Sequence, residues 1–454
     1  MKGSRRLLLL LSVLLIAWIS GCGGTDADQA AVEQSKDGST EKQSESPNKP
    51  VQTNKDGEKQ EVVVYSANGA YLDEYYRDFE QYIEEALPHI EITLFSARED
   101  ESKHIDNLIL TGQNIDLYYN SIGGFFSVAL QYDLAYDLTD LIKEQNIDLN
   151  RFEPTLINAL TEFGHGEIWG LPVFTTLMTL YYNKGIFDQF GVEYLTDGMT
   201  WDEVYDKNRQ LSRQDDNKIY TGLAVSPSHF MQMNNLSLPF VDPETNKSTL
   251  DRTEEWRMIL EPFIRPAQEA AYRAKIEQLG GKLPYSGEFS KEKDLAIFGI
   301  FHNWWVNNDQ TDVDWDLVSF PTFPDRPGVG SQLYPTYYGI PKFAENKEGA
   351  LEVLKYLTSD EFQMILSKRG EMAVVTTPEV VEAFGTESIS SHRNLQAVYY
   401  NEFAPIAFKH PHEGTVRSII QNNLVDIALG NIDIVTALRN MKEEADLELE
   451  TLMK

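Results

Sequence analysis

Glu61-Val62-Val63-Val64-Tyr65 and Ile115-Asp116-Leu117-Tyr118-Tyr119 are two short apolar runs, the first rich in β-branched residues. Runs of this length and composition read as strands buried on both faces. Between them Leu72, Tyr75, Tyr76, Phe79 and Ile83 recur at helical spacing over 71–86, a strand is predicted over 89–95, and a second helix over about 103–111. Strand, helix, strand, helix, strand in that order predicts an α/β body with a parallel sheet covered on both faces by helices. Ligands of such open sheets sit beyond the carboxyl ends of the strands. Here those loops are Ser66-Ala67-Asn68-Gly69, Ser96-Ala97-Arg98-Glu99-Asp100 and Asn120-Ser121-Ile122-Gly123-Gly124. They are dominated by small and polar residues, and none carries a P-loop or dinucleotide fingerprint.

Toward the N-terminus the composition changes abruptly. From Gly23 to about Gln60 the chain is almost entirely small, polar and charged, so it cannot bury enough apolar surface to offset chain entropy and is expected to be a disordered tether over 22–60. Before it stand Lys2, Arg5 and Arg6, an apolar core from Leu7 to Ile19, and then Ser20-Gly21-Cys22. A basic start, a short apolar core and small residues describe a secretory signal over 1–21. The core is too short to span a bilayer comfortably, which takes about 20 apolar residues. Cys22 is the single cysteine of the 454-residue chain and so has no disulfide partner within it. Ile19-Ser20-Gly21-Cys22 resembles the lipobox of bacterial lipoproteins, in which the cysteine is acylated and becomes the mature N-terminus. That resemblance implies a lipid-anchored protein on the extracellular face of a cell membrane, with a Gram-positive source expected.

Toward the C-terminus the chain runs on to Lys454, longer than a single typical core of about 250–300 residues, so two lobes are expected. Ile168-Trp169-Gly170-Leu171-Pro172-Val173 leads into Leu180-Tyr181-Tyr182-Asn183-Lys184-Gly185-Ile186-Phe187, then Gly191-Val192 and Gly198-Met199-Thr200-Trp201-Asp202-Glu203-Val204. Thr200 with Glu203 three residues on is a capping box, a helix start with its own physical rationale. This succession resembles extracellular solute-binding proteins of family 1, which include maltodextrin-binding proteins and many lipoproteins of sugar importers. Asp294-Leu295-Ala296-Ile297-Phe298-Gly299-Ile300-Phe301-His302-Asn303-Trp304-Trp305 is similar to the family's strand ending in small residues and a tryptophan, with Ile297 in place of Met and His302 or Asn303 in place of Gly. Trp315 to Pro321 resembles its return strand, and Tyr337-Tyr338-Gly339-Ile340-Pro341 the strand before the helix 348–357 and Ser359-Asp360-Glu361. Gly430 to Glu448 resembles the closing helical element.

The resemblance implies a two-lobe periplasmic-binding-protein-like fold of type II, each lobe a sheet flanked by helices, with hinge crossings and a ligand cleft between lobes. It places the first lobe at 61–170 plus 316–370 and the second at 171–315 plus 371–454, with hinges near 174–179 and 315–318. It further implies a monomer that captures a mono- or oligosaccharide by lobe closure and delivers it to the permease of an ABC transporter. Sugars present apolar C–H faces and hydroxyls, needs met by aromatic platforms among fixed polar groups. The candidates are Trp304, Trp305, Tyr337, Tyr338, Tyr181, Asn68, Asn120 and Glu371, with Phe125 and Phe126 also close to strand ends. Adjacent residues on a strand point to opposite faces, so one of Trp304 and Trp305 is expected to line the cleft and the other to pack inside, with Trp304 favoured for the ligand.

Other classes of function fit less well. A formal charge of −32 leaves nothing to neutralise phosphates over a broad face, which excludes a general nucleic-acid binder. No cofactor is implied. There is no Gly-x-Ser-x-Gly and no cysteine placed for nucleophilic work, so no enzyme is expected. His410-Pro411-His412 lacks a supporting ligand cluster for a metal. Asp312, Asp314 and Asp316 alternate as calcium ligands might, but Leu317 and Phe323 stand where the loop needs Gly and Glu, so a solvated strand face is expected. The alternatives are a surface glycosidase or lyase, since 71 acidic residues supply carboxylate pairs by chance, and a sensor or adhesin on the same fold.

Overall fold

The computed structural model describes residues 59–67, 71–96, 103–215, 217–307 and 312–454. Cys22, the signal and most of the tether, together with Asn68, Gly69 and 97–100, lie outside the described residues. No helix among the described residues is long and apolar enough to cross a membrane.

The first strands form where the apolar runs stand: β1 (Gln60–Ser66), β2 (Ile90–Ser96) and β3 (Leu117–Ser121), with helices Tyr71–Ala86 and Ile105–Leu110 between them. β1 pairs in parallel with both β2 and β3. Val62, Val64, Leu117 and Tyr118 are fully enclosed, as strands covered on both faces require. β4 (Leu171–Phe174) closes this sheet on the far side of a later strand, and β5 (Met178–Asn183) opens the second sheet. That sheet is completed by β6 (Arg213–Asp215), β7 (Lys218–Val225), β8 (Leu295–Phe301) and β9 (Trp315–Ser319). The order is β6-β7-β8-β5-β9, with β7 and β8 parallel and β5 antiparallel to both of its neighbours. β10 (Val329–Gln332) and β12 (Glu402–Ala404) form a separate two-stranded ribbon. β11 (Thr336–Gly339) returns to the first sheet, whose order is β2-β1-β3-β11-β4, and runs antiparallel to β3 and β4.

Sheet membership corrects two boundaries. The cut expected at 170/171 assigns β4 to the second lobe, yet β4 hydrogen-bonds β11 in the first sheet. As the outermost strand it tolerates Pro172, which has no N–H to give a second neighbour. The cut expected at 315/316 assigns β9 to the first lobe, yet it pairs with β5 over Thr179–Asn183. The chain therefore first leaves the first sheet after Phe174, inside the expected hinge, and leaves the second after Ser319 rather than within 315–318. Residues assigned to the second lobe also return to the first: Thr175 bridges Met372, Phe152 bridges Val375, and Met372, Val374, Val380 and Phe384 join the first sheet's core.

Local signals hold where they are strong. Thr200 Oγ1 accepts from the Glu203 N–H at 3.4 Å, and Glu203 Oε2 accepts from the Thr200 N–H at 2.7 Å, so the capping box forms as read. Of the three aspartates only Asp316 lies on β9; exposed Asp314 pairs with Lys184 at 3.5 Å, and exposed Asp312 pairs with Lys293. One core joins both faces of the first sheet to one face of the second, through Tyr181, Phe298, Trp305 and Trp315. The other face of the second sheet packs under the helices Thr253–Ile264, Glu413–Leu429 and Ile434–Leu452.

Candidate functional site

At the carboxyl edge of the first sheet, β1 ends at Ser66 beside β3, and the Ala67 N–H donates to the Tyr119 carbonyl at 3.3 Å. Ser66 Oγ and Asn120 Oδ1 are buried there without a hydrogen-bond partner among the described residues. Buried polar atoms are nearly always paired, because desolvation without a bond costs about 1–3 kcal/mol. Gly124 leaves Asn120 its room, since a Cβ at 124 would strike the Asn120 amide.

The second sheet presents the ends of its two parallel strands. Ser226, just past β7, holds its Oγ 2.7 Å from His229 Nδ1 and 2.9 Å from Tyr285 Oη. Burial, with Arg417 adding to it, pushes the His229 pKa down to about 4, so the ring is neutral at pH 7. That ring lies 4.2 Å from Phe301, the last residue of β8, and Phe301 lies 6.0 Å from Tyr334. Tyr334 Oη approaches Gln232 Oε1 at 3.2 Å and Ser121 Oγ at 3.5 Å, so this half-buried phenol reaches the first-sheet side. A Cβ on Gly123 would come within 2.8 Å of Tyr334 Oη; glycine lets the two sides approach here.

Between these edges lies the turn 302–307. Trp304 and Trp305 stand past the end of β8, not on it, so strand alternation does not orient them. Packing separates them instead. Trp305 is 5% exposed, stacked on Phe289 at 5.0 Å and edge-on to Tyr181 at 5.0 Å, whereas Trp304 is half-buried. The turn is pinned by the buried His302. Its Nε2 faces the Gly370 carbonyl at 3.3 Å, which can only accept, and Nδ1 then accepts from the Thr176 hydroxyl at 2.8 Å. Burial pushes the His302 pKa down to about 3, and this neutral ring ties three passages of the chain together. Glu371 is buried and accepts from Asn303 Nδ2 at 2.9 Å and Asn307 Nδ2 at 3.4 Å.

Several expected ligand residues do structural work. Tyr337 is enclosed and donates to the Leu156 carbonyl at 2.8 Å; Tyr338 stacks on Tyr119 with centroids 4.8 Å apart. Tyr181 donates to the His302 carbonyl and supports the turn from below, and Phe125 and Phe126 pack in the core. Burial therefore takes Tyr181, Tyr337 and Tyr338 off the surface, and Glu371 braces the turn. Among the described candidates Trp304 alone is half-buried, and Asn120 is as buried as Glu371, at 4% exposed. The sequence reading placed Ser66 in a strand-end loop without singling it out, and did not single out Ser226, His229, Gln232, Phe301 or Tyr334. The strand-end rule points to the first two and to Phe301; nothing local marks the others. His410 and His412 have ring centroids 5.6 Å apart, and no group of three or more potential metal ligands occurs among the described residues.

Comparison with known proteins matches this architecture. The family model described as bacterial extracellular solute-binding protein matches residues 69–364. Among solved structures, a sugar transporter from Rhizobium etli in an open conformation superposes with a TM-score of 0.67 at 16% identity, covering 85% of this chain and 98% of that one. An ABC substrate-binding protein from Listeria monocytogenes in complex with cycloalternan gives 0.65 at 18% identity, covering 87% and 100%. A protein from Mycobacterium tuberculosis in complex with glycerophosphocholine gives 0.64 at 15% identity, covering 87% and 99%. At such identities the likeness speaks for the fold, and it agrees with the two-lobed type II architecture. With its family model matched over most of its length, the chain belongs to the bacterial extracellular solute-binding proteins.

Proposed function

We propose that this protein is the membrane-anchored solute receptor of an ABC importer, and that it captures a sugar or oligosaccharide by closure of its two lobes and hands it to the permease. The observation that carries the reading is the meeting of aromatic rings with polar groups. Half-buried Phe301 and Tyr334 lie with ring centroids 6.0 Å apart, and Tyr334 Oη comes 3.5 Å from Ser121 Oγ among the polar groups at the end of β3. Apolar C–H faces stack on the former and hydroxyls satisfy the latter. Sugar-binding and sugar-transporting proteins among the solved relatives support the same ligand class. Capture needs only higher affinity for the closed state, with no covalent step. The two lobes are the two sheets with their packed helices, hinged at 175–177 and after Ser319.

Two measurements test this. A bound sugar should raise stability by about 2.7 kcal/mol at a hundredfold excess over Kd. Small-angle scattering should show the radius of gyration falling when that sugar is added, and an unchanged profile with a bound sugar would refute closure. Separately, Cys22→Ala should release the protein from the membrane, because the single thiol is the only candidate for acylation. Incorporation of a labelled fatty acid that persists in the mutant would refute the anchor.

A further inference from the structure

Glu413 is the first residue of the helix Glu413–Leu429, is 4% exposed, and has no hydrogen-bond partner for either carboxylate oxygen. The His410 N–H is within electrostatic reach but outside hydrogen-bonding geometry. A buried carboxylate with two empty oxygens is among the costliest groups a fold can carry. Its surroundings are also built. Lys409 is buried and donates to the Gln232 carbonyl at 2.6 Å, so its ammonium is tied to the segment that meets Tyr334. Arg417, one helical turn on, lies within electrostatic reach of Glu413, Lys409, Tyr334 and His229. Burial pushes the Glu413 carboxyl up and the Lys409 ammonium down, while each favours the charged form of the other. The cluster thus borders Tyr334 and Gln232, against which Gly123, two residues past β3, packs.

We infer that Glu413 is a specificity-determining residue of the proposed cleft, where its two free oxygens accept from a pair of neighbouring hydroxyls on an uncharged sugar. The inference rests on the sugar reading of the site. Two acceptors side by side match a vicinal diol, whose oxygens in turn accept from the Arg417 guanidinium. Burying an ionic substituent of either sign in this enclosed cluster costs desolvation that a neutral hydroxyl does not incur, so the cluster favours neutral polyols over amino sugars and uronic acids.

The test is calorimetric titration of the folded body with maltose, mannobiose and cycloalternan, and with glucosamine and glucuronate, alongside thermal melts. A neutral sugar should bind, and the two charged sugars should not. Glu413→Gln should weaken the neutral sugar by roughly 10–100-fold, the loss of charge-assisted hydrogen bonds. The unliganded melting temperature should fall, since buried Lys409 loses its counter-charge, so affinities are compared at a temperature where both proteins are folded. If none of the neutral sugars binds the unaltered protein, the sugar reading falls and this inference with it. If one binds and Glu413→Gln holds it equally well, or only lowers the melting temperature, the role of Glu413 alone is overturned. Binding of glucosamine or glucuronate as tight as that of the neutral sugar overturns the selectivity, whether or not the variant folds.

Discussion

Trp305→Ala should lower the unfolding free energy by about 3–5 kcal/mol, the usual cost of truncating a large buried aromatic. The ring stacks on Phe289, meets Tyr181 edge-on and lies 6.3 Å from Phe298, so its removal opens a void where the second sheet joins the first sheet's core. Those neighbours are held by strands and cannot collapse far into the gap. Trp304→Ala should behave oppositely. Half-buried at the mouth of the turn, it should cost about 1–3 kcal/mol of affinity for a bound sugar and little stability. Urea unfolding followed by the fluorescence of the other tryptophans separates the two, combined with titration of the same sugar. Equal stability losses in both variants would show that neither ring is a platform.

Lys275→Met should be as damaging. Lys275 and Asp294 are 4% and 7% exposed and meet at 2.7 Å, tying the helix Ala270–Gln278 to the residue that leads into β8. Breaking a buried pair by removing one member costs about 3–5 kcal/mol, because the survivor keeps its desolvation penalty. The loss should depend on pH in a definite direction. Burial raises the Asp294 pKa above its ordinary 3.8 even though Lys275 pulls it back. The folded state therefore holds the proton more tightly than the unfolded chain, and this group's contribution worsens as pH rises from the unfolded value through the folded one. Without Lys275 the carboxyl moves higher still, so the variant should recover part of its stability as the medium is acidified. Lys275→Met with Asp294→Asn should recover most of the loss at neutral pH. Denaturant melts at several pH values check both, and a deficit independent of pH would refute the buried-charge explanation.

The start of the fold was legible because its signals are local and redundant. Short apolar runs announced β1 and β3, placed within two residues of where they form. Gly430, with φ of 75°, ends the helix Glu413–Leu429 and heads the stretch Gly430 to Glu448 that resembles the family's closing element. Membership of a sheet is different, since it depends on partners far along the chain. Tyr337-Tyr338-Gly339 reads as a strand through its resemblance to the family, yet nothing in the segment itself says that it lies between β3 and β4. The site was less legible for a related reason. Tyrosine serves equally well with its hydroxyl on a distant carbonyl, as Tyr337 does on Leu156, or facing an open cleft, and the residue type does not distinguish them. Trp304 and Trp305 were read on a strand that stops at Phe301, so alternation does not orient them, and the burial of Trp305 comes from Phe289 and Tyr181 instead.

The position of β11 also governs how the chain acquires its shape. The first sheet has a gap between β3 and β4 that only β11 fills, and β11 is made after the whole second sheet. A chain emerging in order from the ribosome holds β1, β2 and β3 with one flank unzipped until residue 336 has been synthesised. Closing that flank brings together segments far apart in sequence, a slow, entropy-limited step. For the exported protein proposed above, such tardiness would be useful: a polypeptide that has not yet locked its first sheet can still be threaded through a membrane pore.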